Sequence, residues 1–126
     1  MTLTIGVRQT GPGVVTLTLQ GPLDGSTHES LDQELDRVMN EPVRVLVLDI
    51  EGVDFVTSAG IGTIMKAKTS LAQKRADLVL LHVRPQIEKV FEILRALPGL
   101  GILPDRAELD EYLGRIQRQT TVEDDC

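Results

Sequence analysis

Two adjacent hydroxyls, Thr57 and Ser58, stand directly before a small glycine-rich stretch, Ala59-Gly60-Ile61-Gly62. Upstream runs an unbroken apolar segment, Val45-Leu46-Val47-Leu48, closed by Asp49, and downstream the spacing turns helical. The pair therefore sits where a strand hands over to a helix. That place concentrates backbone N–H groups without intrahelical partners, and the positive end of the helix dipole. Three chemistries suit a hydroxyl there: a serine nucleophile, a seat for a bound phosphate, or a modifiable hydroxyl on a protein-binding surface. The plain alternative is a helix N-cap worth about 1 kcal/mol.

The nucleophile reading is thin. Val56-Thr57-Ser58-Ala59-Gly60 half-matches the elbow G-x-S-x-G, with valine in place of its first glycine. A serine also needs a base, and the chain has only His28, in a helical segment, and His82, at an apolar strand where a lone histidine reads as a packed core residue. Nucleotide binding fares no better. Gly60-Ile61-Gly62 continues into Thr63-Ile64-Met65, so G-x-G-x-x-G fails at its third glycine, and no G-x-x-x-x-G-K-[ST] occurs. Two scattered histidines and one terminal cysteine give no metal-ligand spacing, so neither a metal nor a cofactor is expected.

Bulk properties narrow the partners. At 126 residues, 41% hydrophobic and 25% charged, the chain reads as one soluble domain that buries roughly two-thirds of its unfolded surface. A net charge of −6 disfavours nucleic acid and anionic membranes, and an aromatic content of 2% leaves no platform for stacking bases. No apolar run approaches the ~18 residues of a membrane span, and no secretory signal opens the chain. With Cys126 as its one cysteine, a reducing cytoplasm is expected.

The elements that must position the hydroxyl pair follow from periodicity. Leu3, Ile5 and Val7 alternate with polar residues. After Gly11-Pro12-Gly13, so do Val15, Leu17 and Leu19 against Thr16, Thr18 and Gln20, which predicts a hairpin with one face in water. Ser26 and Glu29 have capping-box spacing before a helix over residues 27–40 with Leu31, Leu35, Val38 and Met39 inward. The run at Val45 suits a strand covered on both faces. A helix follows from about Ala59 to Lys74, with Ile61, Ile64, Met65, Leu71 and Ala72 as its expected buried stripe. A strand over 78–83, a helix begun at Pro85 with Ile87, Val90, Phe91 and Leu94, a short strand at Gly101-Ile102-Leu103 and a helix from Asp105 through Leu109, Tyr112, Leu113 and Ile116 complete the pattern. The predicted fold is α/β: a mixed, mainly parallel sheet of about five strands with about four helices, in the order β-β-α-β-α-β-α-β-α. A domain over 1–117 is expected, with a disordered acidic tail over 118–126.

These residues carry a resemblance. Gly21-Pro22-Leu23-Asp24, the strand from Val45 to Ile50, the stretch Val53 to Gly62 and the helix from Pro85 to Leu97 together resemble a STAS domain, and more closely the small standalone anti-sigma factor antagonists. The most specific part is the loop that the family writes F-x-D-S-x-G-[LI]-G, here Phe55-Val56-Thr57-Ser58-Ala59-Gly60-Ile61-Gly62. The resemblance implies a non-catalytic switch. The unmodified protein would bind an anti-sigma factor that is also a serine kinase. Phosphorylation at Ser58 would release it, and a metal-dependent serine phosphatase would reset the switch. Asp24, Thr57, Ser58, Ala59, Gly60, Ile61 and Gly62 would form the binding surface. The family's acidic residue before the serine is Thr57 here, a second potential acceptor, with Ser58 expected to remain the main one. The alternative is an unphosphorylated STAS subunit docked on a transporter or a larger signalling assembly.

Overall fold

In the computed structural model the described residues are 2–85, 87, 100–103 and 107–115. Strand β1 (Thr4–Gly11) turns at Pro12-Gly13 into β2 (Val14–Gln20) and pairs with it antiparallel, with one register shift between Gln9 and Gly11. Gly13 takes φ 71°, a backbone state that glycine reaches without penalty. From β2 the chain crosses by helix α1 (His28–Met39) to β3 (Val45–Gly52), then by helix α2 (Ser58–Gln73) to β4 (Asp77–Leu81). Strand β5 (Leu100–Leu103) closes the sheet, whose order is β1-β2-β3-β4-β5 with every pair after the first parallel.

The expected layout is corrected. Three helices stand among the described residues, α1, α2 and a segment over 107–115, against about four expected. The parallel part of the sheet has four strands, with β1 added antiparallel at its edge. The helix expected from Pro85 lies outside the described residues beyond positions 85 and 87, as does the tail expected from 118.

The apolar run of β3 is divided between two cores by strand alternation. Leu46, Leu48 and Ile50 face α1 and α2 together with Leu17, Leu19, Leu78 and Leu80. Val45 and Val47 face the other way, packed with Val14, Val79 and Leu81 beneath Leu109 of the 107–115 helix. Cover on both faces is why this strand lacks polar residues until Asp49. On α1 the predicted stripe is the observed one: Leu31, Leu35, Val38 and Met39. On α2 it is not. Gly60, Thr63, Ile64, Ala67 and Leu71 are buried, whereas Met65 is 41% exposed and Ala72 lies on the surface. Hydrophobicity alone missed the small residues of the inward face, where the bare backbone of Gly60 lies against Leu23.

Candidate functional site

Two loops meet at the end of β3. The first, after β2, runs from Gly21 to Thr27; the second, after β3, runs from Val53 to Thr57. They are laced by backbone hydrogen bonds: the Gly21 N–H donates to the Gly52 carbonyl (3.0 Å), the Leu23 N–H to the Phe55 carbonyl (2.9 Å) and the Thr57 N–H to the Leu23 carbonyl (2.9 Å). Leu23 and Val56 form a parallel bridge. Leu23 is fully buried, and the first turn of α2 rests on it. A Cβ at Gly60 would lie 2.6 Å from Leu23 Cγ and 2.7 Å from its carbonyl oxygen, so only glycine allows this approach. At Gly62 a Cβ would meet nothing within 4 Å among the described residues, and that glycine is exposed.

Thr57 is the N-cap residue of α2, in extended backbone, and Ser58 is the first helical residue. Of the two hydroxyl residues, Thr57 and not Ser58 thus holds the N-cap position. Thr57 makes no side-chain capping bond, and its Oγ1 is buried without a hydrogen-bond partner among the described residues. Ser58, one residue on, is exposed. The fold thus splits two adjacent hydroxyls, sealing one and presenting the other. No acidic side chain occupies the first turn of α2, whose earliest helical bond is Ile61 N–H to the Thr57 carbonyl at 3.0 Å. Ala59 and Ile61 are half-buried beside Ser58.

Asp24 organises the first loop. Its Oδ1 accepts from the Ser26 N–H (2.8 Å), the Ser26 hydroxyl (2.7 Å) and the Thr27 N–H (3.2 Å), and its carbonyl accepts from the His28 N–H (2.9 Å). The Ser26 hydroxyl and N–H hold the Asp24 carboxyl below its ordinary range, with Thr27 adding to the effect. The expected Ser26–Glu29 capping box does not form: Ser26 spends its hydroxyl on Asp24, and Thr27 is the N-cap of α1. The Thr27 hydroxyl donates to the Pro22 carbonyl (2.8 Å) and accepts from the Asp24 N–H (3.0 Å), tying the loop to the start of the helix.

Sequence reasoning missed three features. Phe55, in the second loop, is 53% exposed, an unusual position for the larger of the loop's apolar side chains. His28 lies 3.4 Å from the buried Thr63 hydroxyl, across the α1–α2 contact, and so reaches the flank of the same helix turn. His82 is not a core residue: it follows β4, takes φ 61°, and sets Nδ1 3.0 Å from Asp49 Oδ1 and 3.5 Å from Glu51 Oε2. Pattern reading placed it inside the strand, and only the register of β3 against β4 reveals its neighbours. The hydrogen bonds of the described residues pair His28 with Thr63 and His82 with Asp49, and neither with Ser58, so no nucleophile–base pair is assembled there. Among the described residues no helix is long and apolar enough to cross a membrane.

The STAS domain family model matches residues 7–109. BtrV of Bordetella bronchiseptica, which carries the name of an anti-sigma factor antagonist, is 32% identical over 81 residues, covering 64% of this chain and 70% of that protein. An anti-sigma factor antagonist from Mycobacterium paratuberculosis superposes with a TM-score of 0.75 at 20% identity, over 91% of this chain and 94% of that one. SpoIIAA in its unphosphorylated form superposes at 0.70 and 20% identity, over 90% of this chain and 98% of its own. The G-x-L-D loop lies laced against the loop before Ser58, the pairing on which the resemblance rested, and the chain belongs to the STAS domain family.

Proposed function

We propose that this protein is a phosphorylation-controlled partner switch of the anti-sigma factor antagonist type. Unmodified, it binds an anti-sigma factor with serine kinase activity; phosphorylated at Ser58, it lets go; a metal-dependent serine phosphatase restores it. The role is regulatory, exercised through binding. One observation carries the reading: at the junction of β3 and α2 a single hydroxyl, that of Ser58, is exposed, while that of Thr57 beside it is buried. A kinase therefore meets one acceptor, although the sequence offers two. Named relatives support the class of partner, BtrV and the anti-sigma-B factor antagonist of Listeria monocytogenes among them.

The physics of release is local. A phosphate brings about 1.5–2 negative charges at neutral pH. At the first residue of α2 the host tolerates them, since the free N–H groups and the helix dipole favour an anion by roughly 0.3–1 kcal/mol. Ionised Asp24, held on the loop that is laced to this one, adds to the negative charge. The partner bears the cost, having packed against an uncharged Ser58 hydroxyl flanked by Gly62 and the exposed Phe55. About 2.8 kcal/mol of lost complementarity lowers affinity a hundredfold.

The test is a pull-down of the kinase partner with Ser58→Ala and Ser58→Asp, joined to phosphopeptide mapping after incubation with kinase and ATP. Ser58→Ala should bind constitutively, Ser58→Asp at least tenfold more weakly, and label should fall on Ser58. Equal binding by both variants would favour a docking subunit that is never phosphorylated. Label confined to Thr57 would overturn the assignment of the acceptor.

A further inference from the structure

We infer that Asp49, Glu51 and His82 form a binding site for a divalent first-row transition cation of the zinc type, separate from the Ser58 surface. Asp49 and Glu51 are alternate residues of β3 and share a face; in the sheet register Asp49 pairs with Leu81, so His82 is the next residue along. At His82 the chain takes φ 61° and the ring comes to rest against both carboxylates. One ligand atom from each of the three residues lies within 4.8 Å of the others. Of the closer separations, 3.0 Å from His82 Nδ1 to Asp49 Oδ1 falls within what one ion imposes, and 3.5 Å to Glu51 Oε2 lies just beyond it, a gap that the exposed Glu51 side chain can close. Two ligands about 2.1 Å from a shared ion, at tetrahedral or right angles, stand roughly 3.0–3.4 Å apart.

The surroundings suit a metal. The Glu51 N–H donates to Asp49 Oδ1 at 3.2 Å, an outer contact that orients the carboxylate. Asp49 also borders an open cavity of about 260 Å³ lined by Arg8, Thr10, Thr16 and Thr18, so the side of the site that Asp49 forms is open to solvent. Arg84 Nε donates to the Glu51 backbone carbonyl, placing a cation at the rim that limits affinity without touching the ligand atoms. Imidazole with two carboxylates favours zinc, cobalt or nickel over magnesium and calcium, which prefer oxygen alone. A pH-sensitive ion pair would use the same three side chains, and metal uptake separates the two.

The experiment titrates Zn²⁺ into the full chain bearing Cys126→Ser, which removes the one thiol, and follows heat and thermal stability. One equivalent should bind saturably at sub-millimolar Zn²⁺, and the ion should raise the melting temperature. His82→Asn is the central variant, because asparagine accepts the left-handed backbone that His82 holds. It should weaken Zn²⁺ binding by more than about 100-fold, beyond the 10–100-fold that loss of an outer-shell partner costs. Asp49→Asn should do the same, and metal-free melting curves establish that both variants fold. Added Ni²⁺ should broaden the ring resonances of His82 and leave those of His28 sharp. Absence of saturable binding, binding unchanged in either variant, or broadening at His28 instead would overturn the proposal and leave an ion pair only.

Discussion

The two glycines that open α2 carry opposite predictions for one substitution. At Gly60 a methyl group would sit 2.6 Å from Leu23 Cγ and 2.7 Å from the Leu23 carbonyl oxygen. The leucine is fully buried, and its carbonyl already accepts the Thr57 N–H, so neither atom has anywhere to retreat. Overpacking of that kind costs about 1–3 kcal/mol, offset by the ~0.5–1 kcal/mol that alanine gains over glycine in a helix. Gly60→Ala should therefore destabilise by up to about 2.5 kcal/mol net. At Gly62 the same methyl enters open space, and only the propensity gain remains, so Gly62→Ala should stabilise by about 0.5–1 kcal/mol. Urea unfolding monitored by circular dichroism gives both values from midpoints at constant slope. Function should invert the ranking: Gly62→Ala plants a methyl on the surface beside Ser58, and should weaken capture of the kinase partner while making the protein more stable. Equal stability of the two variants would refute the reasoning, since the whole difference rests on the contact of α2 with Leu23.

The buried, unpartnered Thr57 hydroxyl gives a second prediction. Leaving such a group without a partner costs about 1–3 kcal/mol, so Thr57→Val, near in shape, should be neutral or stabilising by up to about 2 kcal/mol in urea unfolding, and should leave labelling of Ser58 by the kinase intact. A loss of stability would show that the hydroxyl has a partner in solution. Asp24 gives a third. Hydrogen bonds from Ser26 and Thr27 depress its folded pKa; a depressed carboxylate contributes stability above its unfolded pKa, about 3.9, and loses it as pH falls through the lower folded value. The stability gap between the wild type and Asp24→Asn should be constant near neutrality and narrow as pH drops below about 4. A gap that persists at low pH would mean that ionisation of Asp24 plays no part in ordering the loop.

The sequence made legible whatever depends on local period or a short motif. The split of Val45–Ile50 between two cores follows from a run with no alternation, and the stripe of α1 from Leu31, Leu35 and Val38. The strand-to-helix junction announced itself by its hydroxyls and glycines. What escaped depends on the third dimension. Gly60 lies on Leu23, a residue 37 positions earlier in the chain; hydrophobicity scores glycine near neutral, so it found Ile64 and Leu71 but passed over Gly60 and added Met65 and Ala72 to the buried side. The Ser26–Glu29 capping box met the spacing rule but lost to Asp24, whose carboxylate reaches the Ser26 hydroxyl and two backbone N–H groups at once. His82 shows the same limit: its chemistry comes from Asp49 and Glu51, more than thirty residues away, through strand register alone.

Both neighbourhoods grow from the C-terminal end of β3, and alternation keeps them apart. Ile50 points to the helix-covered core with Leu46 and Leu48, and the chain that follows it crosses above that core to deliver Ser58 at the head of α2. Asp49 and Glu51 point to the other face, where His82 meets them. A ligand on one side thus has no side chain in common with a partner on the other, and the element they share is the backbone of a strand hydrogen-bonded on both flanks. A strand packed on both faces does not deform continuously, so coupling through it would take a discrete rearrangement of the core. Any influence of a cation on partner binding would have to pass through the loop from Val53 to Thr57, which leaves β3 after Gly52 and holds Leu23 by two backbone bonds. Release by the proposed phosphorylation would need no such route. Charge would appear at the exposed hydroxyl itself, and the lacing of the loop holds Ser58 in place at the surface.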